Sequence, residues 1–253
     1  MLVPCAGMGT RFLGWRGHKM FAPVVDIKGN WGPMYELSLN TLRQAQVLGC
    51  DIKAAYVYPR SHRSCFVNHL PIPEVEAIEI PYEPASTGET VWLGLQNLPY
   101  KVPYVGIMFP DTAFGPQNVL AEAYSLVKTK EAVAICWRAP VNVVDRVMID
   151  DEGRISYAKK HVDKIGYSRV RDIGWGVVMS SFERMISALY ASGLDLTEMI
   201  VKLRPHAHVP ENSFYYDLGD RYRYIAWQRS MTSPKREHFN HMKYLDKPLS
   251  KIV

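Results

Sequence analysis

Cysteine is scarce in this 253-residue chain: Cys5, Cys50, Cys65 and Cys136 are scattered, and none forms a C-x-x-C pair. That spacing excludes the common zinc modules and offers no disulfide framework, so reduced thiols in a cytoplasmic setting are expected. No apolar run approaches the roughly 20 residues of a membrane-spanning helix. A glycine-rich stretch starts almost at Met1, so no leader and no membrane partner are expected. Charge of one sign never gathers into a stripe. Lys and Arg number 30 against 25 Asp and Glu, a formal net charge of +5, which suits small polyanions. Without basic blocks interleaved with aromatics, nucleic acid is not an expected partner. Internal repeats and low-complexity tracts are missing too, and at 47% hydrophobic residues the chain can bury the core of one large domain.

Two familiar phosphate loops are also lacking. No Gly-Lys-Ser/Thr follows the first glycines, and a dinucleotide fingerprint needs a third small residue where Phe12 stands. What is present is Pro4-Cys5-Ala6-Gly7-Met8-Gly9-Thr10-Arg11, with Lys19 close behind. Glycines strip side chains from a turn, so backbone N–H groups can converge on an anion. Arg11 offers a planar fork matched to phosphate oxygens, and Lys19 a mobile point charge. After an N-terminal strand, this loop suggests a nucleoside triphosphate site. Taken alone, it reads equally as a tight strand-to-helix turn with a solvated arginine.

The full string, Pro-x-Ala-Gly-x-Gly-Thr-Arg followed by Lys19-Met20-Phe21-Ala22-Pro23, resembles the signature of the sugar-1-phosphate nucleotidylyltransferases, such as the glucose-1-phosphate thymidylyl- and uridylyltransferases. The resemblance reaches to about Arg229. It implies a three-layer α/β/α, Rossmann-like domain of the nucleotide-diphospho-sugar transferase type. The implied reaction joins an NTP and a sugar-1-phosphate to give a nucleotide-diphospho-sugar and pyrophosphate, with Mg2+ as cofactor. Arg11 and Lys19 are then catalytic, and Ala6, Gly7, Gly9 and Thr10 hold the nucleotide. His18 departs from the pattern, standing where the family has proline.

Strand-like and helix-like segments alternate, which predicts an α/β fold with a mixed, mainly parallel sheet. One domain spanning 1–253 is the simplest organisation. Pro33 to Leu48 reads as a helix with Pro33 in its first turn. Ser86-Thr87-Gly88-Glu89 has capping-box spacing and opens a helix to about Asn97. Tyr104 to Phe109 is an apolar strand running into Asp111. An antiparallel insertion is expected at about 140–172, turning at Asp150-Asp151-Glu152-Gly153. A basic tail at about 233–253 is expected to be helical and suited to lie on a neighbouring subunit of a homo-oligomer.

Open α/β sheets bind ligands beyond the carboxyl ends of their strands. Asp111 and Asp217 fall at such points. An anion attacks an NTP only when charge is neutralised, and hard cations held by carboxylates do this. By the resemblance these two aspartates hold Mg2+. On spacing alone, Asp111 reads as a turn residue, and Asp217 or Asp220 as a helix cap.

The resemblance also places Gly88 against the nucleotide, Lys160 on the sugar phosphate and Gly174 beside the sugar. Trp175 then either stacks on a ring or packs in the core. Glu83 stands about where thymidylyltransferases have a base-reading Gln. An ionised carboxylate only accepts, which suits a base with donors, such as guanine, or a side chain facing solvent. Lys159 replaces the family's sugar-binding Glu. These departures keep two alternatives open: a non-catalytic nucleotide-sugar-binding or scaffold relative, and a cytidylyltransferase acting on a non-sugar phosphomonoester. His206 and His208 have no evident carboxylate partner and read as surface or packing residues.

Overall fold

The computed structural model describes residues 1–7, 18–69, 75–138, 145–159, 173–211 and 213–232. The first half runs β1 (Leu2–Pro4), β2 (Pro23–Val25), β3 (Trp31–Pro33), α1 (Tyr35–Val47), β4 (Ala54–Pro59), α2 (Arg63–His69), β5 (Val75–Ile80), α3 (Thr87–Gln96), β6 (Tyr104–Met108) and β7 (Thr112–Gly115). The second runs α4 (Val119–Lys130), β8 (Ala132–Arg138), β9 (Arg146–Ile149), β10 (Ile155–Lys159), β11 (Ile173–Ser181), α5 (Phe182–Ala191), α6 (Leu196–Leu203), β12 (His206–His208), β13 (Phe214–Asp217) and α7 (Arg221–Thr232).

One large sheet follows the order β10-β9-β11-β6-β1-β4-β5, with β8 lying along β11 and β12 along β8. Strands β5, β4, β1 and β6 are parallel, and β11 runs against both β6 and β8. Parallel strands covered on both faces must be apolar throughout. Accordingly β4, Ala-Ala-Tyr-Val-Tyr-Pro, is buried at every position. Its side chains still alternate between faces. Ala55 and Val57 pack with α3, α5 and α6, whereas Ala54, Tyr56 and Tyr58 pack with α1, α2 and α4. This is the expected three-layer α/β/α arrangement with a mixed, mainly parallel sheet. The hairpin β9–β10 is antiparallel, turns at Asp150 to Gly153, and reaches the main sheet where Gly174 pairs with Arg146. No helix among the described residues is long and apolar enough to cross a membrane. The expected tail at 233–253 lies outside the described residues.

Two short ribbons sit outside the large sheet. β2 pairs antiparallel with β3, and β7 with β13 in the register Asp217↔Thr112. The sequence reading missed the β2–β3 ribbon, and Pro33 closes β3 opposite Pro23 rather than opening α1. A two-stranded edge tolerates a residue without an N–H donor. The helix starts later, at Tyr35, with no side-chain cap at Met34. A third apolar cluster ties the ribbons together: Ala22, Val24, Met34, Leu37, Ala113, Leu218 and Trp227. Trp227, from α7, is fully buried and donates its Nε1–H to the Val25 carbonyl at 2.7 Å. Losing a buried tryptophan costs about 3–5 kcal/mol, so this clamp holds the segment after Lys19 firmly against the segments bearing Asp111 and Asp217.

Candidate active site

A cavity of about 720 Å3 opens where β1 and β6 end. Ala6 and Gly7 continue from β1 onto its wall, Lys19 comes from the turn before β2, and Asp111 and Asp217 lie on it as well. Asp111 immediately precedes β7, and Asp217 ends β13. Antiparallel pairing of these strands therefore brings the two acids together although they are 106 positions apart (217 minus 111). Gly219 lies between them. A Cβ there would stand 2.8 Å from both Asp111 Oδ2 and Asp217 Oδ1. The Gly219 N–H donates to Asp217 Oδ1 at 2.7 Å, and the Leu218 N–H donates to the Asp111 carbonyl at 2.8 Å.

Each acid faces a cation. The Lys19 ammonium pairs with Asp111 Oδ2, and the Arg223 guanidinium with Asp217 Oδ2. Arg223 Nε also reaches Asp220 Oδ2 at 3.0 Å. Asp220 itself caps α7 by accepting from the Arg223 N–H at 2.9 Å, the capping alternative read from sequence for this residue. Burial, then the neighbouring Asp111 charge, pushes the Asp217 carboxyl above its ordinary value, against the pull of Arg223 and the Gly219 N–H. Tyr215 lies among these acids, and burial followed by the Asp217 and Asp111 charges raises its phenol strongly. Burial likewise raises the Cys5 thiol well above its ordinary value, which leaves it a packing residue rather than a nucleophile.

The same cavity is also lined by Glu83, the start of α3 and His18. Ser61 donates its hydroxyl to Glu83 Oε1, and His62 Nε2 stands 3.8 Å from the same atom. His18 donates Nε2–H to the Cys5 carbonyl at 2.9 Å, and its ring lies 5.0 Å from that of His62. Burial, then His62, pushes His18 down to about 4. The unfolded chain binds this proton below about pH 6.5 and the folded chain does not, so stability rises with pH across that window and is lost on acidification. From pH 6.5 to 4 the loss traceable to His18 should be about 3 kcal/mol. Urea titrations of wild type and His18→Gln, which keeps a donor for Cys5, should diverge by that amount at pH 4 and agree in their slope above pH 7.

The sequence-predicted residues divide clearly. Ala6, Gly7, Lys19, Glu83, Asp111 and Asp217 all share the cavity. Gly9, Thr10, Arg11 and Lys160 lie outside the described residues. Gly88 and Gly174 are not on the wall. A Cβ on Gly88 would run into the Leu194 carbonyl, so its glycine serves the packing of α3 on the loop before α6. Gly174 is a buried strand residue paired with Trp137 and Arg146. Sequence reasoning missed Arg223, Asp145, His18 and Tyr215 as wall or site residues. The Asp217-x-x-Asp220-x-x-Arg223 spacing was the available signal for Arg223. His208 does have a carboxylate partner, Glu122 Oε2 at 2.8 Å. Among the described residues no group of three or more His, Cys, Asp or Glu is placed to hold a metal.

Among solved structures the chain superposes on a UTP-bound UGPase from Acinetobacter baumannii, with TM-score 0.68 and 16% identity over 92% of this chain and 94% of that one. A nucleoside-diphosphate-sugar pyrophosphorylase from Vibrio cholerae gives TM-score 0.70 and 16% identity over 90% and 100%. A candidate glucose-1-phosphate thymidylyltransferase from Bacillus anthracis gives 0.69 and 13% over 90% and 92%. This is the sugar-phosphate nucleotidyltransferase fold. At these identities the likeness is one of fold. No protein-family model and no curated protein sequence matches the chain. Within the nucleotidyltransferase fold, the cavity lies at the carboxyl ends of the parallel strands, the usual place for ligands in open α/β sheets.

Proposed function

We propose that the chain is a Mg2+-dependent nucleotidyltransferase that joins an NTP to a sugar-1-phosphate or similar phosphomonoester. The observation that carries this reading is the convergence of Lys19, Asp111 and Asp217 on one cavity in this fold. The acceptor's phosphate oxygen attacks the α-phosphorus in line, the bond to the β-phosphate oxygen breaks, and pyrophosphate leaves. Arg11 and the backbone from Ala6 to Thr10 hold the leaving pyrophosphate. Lys19 steadies charge on the α-phosphate, and Lys160 grips the incoming phosphate. Glu83 belongs to the nucleotide side. No side chain acts as nucleophile, so acceleration comes from positioning and preorganised charge.

The residues fit a magnesium ion. Two hard carboxylate oxygens converge on the space that a Gly219 side chain would fill, and Mg2+ commonly takes one or two carboxylates plus phosphates and water. When bound, Mg2+ would neutralise phosphate charge during the transfer. The test is a pyrophosphate-release screen of five NTPs against a panel of phosphomonoesters. Release that needs both substrates and stops with EDTA is expected. Tight MgNTP binding by calorimetry with no release in any combination would replace this reading with a non-catalytic one.

A further inference from the structure

All four carboxylate oxygens of Asp217 and Asp220 are engaged by the chain itself. Asp217 Oδ1 accepts the Gly219 N–H at 2.7 Å, and Asp217 Oδ2 takes the Arg223 guanidinium through Nη1. Asp220 Oδ1 accepts the Arg223 N–H at 2.9 Å, and Asp220 Oδ2 lies 3.0 Å from Arg223 Nε. One guanidinium thus bridges two carboxylates, with different edges of its planar fork turned to each. A lysine ammonium, a point charge without a fork, offers no equivalent bridge. The three side chains are only 20% to 25% exposed.

This bridge is fixed from behind. Besides the Trp227 bond to the Val25 carbonyl, Gln228 accepts the Val25 N–H and donates to the Pro23 carbonyl, each at 2.9 Å. Tyr224 donates its hydroxyl to the same Pro23 carbonyl. Arg223 stands next to Tyr224 and about one turn before Trp227, so the anchored helix α7 holds its backbone against β2.

The two oxygens of Asp217 therefore face different surroundings. Oδ1 meets Asp111 Oδ2 across the space that a Gly219 side chain would fill, whereas Oδ2 meets the guanidinium. Many sites for in-line phosphoryl displacement use two cations about 3.5–4 Å apart. A carboxylate has an oxygen for each of them. At Asp217 one oxygen is already committed to a cation that belongs to the chain.

We propose that Arg223 fills a second cation position, as a resident charge between Asp217 and Asp220, so that Asp111 and Asp217 take a single divalent ion. The divalent half of this assignment rests on the nucleotidyltransferase reading, and the guanidinium half rests on the bridge. Arg223 acts through Asp217 and is a positioning residue.

Mn2+ binding to the free protein, followed by electron paramagnetic resonance at neutral pH, compares wild type with Arg223→Gln and Arg223→Ala. A thermal midpoint checks that each variant is folded. Removing the guanidinium leaves Asp217 Oδ2 and Asp220 Oδ2 with no charge between them, so each variant should bind one more Mn2+ per chain than wild type. In Arg223→Ala, methylguanidinium should release that extra ion. Tetramethylammonium, equal in charge but without N–H donors, should not. An arginine that only stabilises the fold predicts a lower midpoint and an unchanged ion count. Equal counts in wild type and folded variants overturn the proposal, as does an extra ion that methylguanidinium leaves in place. Spin coupling between two Mn2+ ions on wild type overturns it without any variant. An extra ion released by methylguanidinium, with no pyrophosphate from any pair of substrates, upholds the guanidinium's role while removing the transfer reading.

Discussion

Alanine at Lys19 should lower kcat for pyrophosphate release by about 10^3-fold, since removing one preorganised charge-stabilising donor costs about 10^2–10^3. Lys19 has two assignments. In the structure its ammonium pairs with Asp111 in a setting where both side chains are largely buried, and in the proposed transfer it faces the α-phosphate. Its removal leaves Asp111 and Asp217 opposed with Arg223 as the cation paired with Asp217. Two close carboxylates then cannot both ionise easily. The Asp217 carboxyl, already raised by burial and by Asp111, should rise further. Because the proposed site needs ionised carboxylates, the acidic limb of the rate profile should move to higher pH in Lys19→Ala.

Breaking a buried ion pair from one side costs about 3–5 kcal/mol when the remaining charge stays. Protonation of the orphaned carboxylate relieves part of that, so the variant should melt earlier yet keep its far-ultraviolet circular dichroism. Asp111→Asn keeps the shape and removes the charge, and should lose a comparable share of kcat. Near-normal release of pyrophosphate by folded Lys19→Ala would remove lysine from the chemistry.

The layering was legible because the physics behind it is local. Strand β4 is apolar at all six positions, and Ser86 accepts the Glu89 N–H at 3.0 Å just where the capping box places the start of α3. The Glu89 carboxylate answers by accepting the Ala85 N–H at 2.6 Å, one residue earlier than the reciprocal bond of an ideal box. Lys19, Asp111 and Asp217 could be picked from motifs, yet their convergence depends on the β7–β13 ribbon. That ribbon is four residues a side and pairs segments about a hundred positions apart, which no periodicity reports. The β2–β3 ribbon is local but only three residues a side, too short to show an alternating pattern, and it escaped despite a turn in which Asp26 Oδ1 accepts the Lys28 and Asn30 N–H groups, both at 2.8 Å.

Glycines were the hardest residues to read. Gly88 resembles a nucleotide-side residue in sequence, whereas in the fold it makes room for the Leu194 carbonyl. Gly219 drew no attention and turns out to separate the two acids. Asp145 and Trp175 are 30 positions apart (175 minus 145) and become neighbours on one wall only through the pairing of β9 with β11. Charge compensation is likewise a property of the assembled cavity.

Gly219→Ala should separate the geometry of the acids from their charge. The new Cβ would sit 2.8 Å from one oxygen of each carboxylate, inside ordinary carbon–oxygen contact, so the oxygens must move apart. Neither can retreat without loss: Lys19 holds the Asp111 carboxylate, and Arg223 and the Gly219 N–H hold that of Asp217. The backbone at Gly219 is outside the left-handed region, so alanine adds no torsional strain. Crowding should cost about 1–3 kcal/mol of stability, whereas misplacing groups by about 1 Å can cost 10^2-fold in rate. The expected result is a modest fall in thermal midpoint, a kcat lower by about 10^2-fold, and a higher Mg2+ concentration for half-maximal rate. Gly32→Ala is the control, since its Cβ would meet only Glu36 at 3.7 Å, and it should leave the rate unchanged. If Gly219→Ala turns over at the wild-type rate with unchanged Mg2+ demand, the two acids do not share an ion. Asp111 and Asp217 would then be structural partners of Lys19 and Arg223 alone.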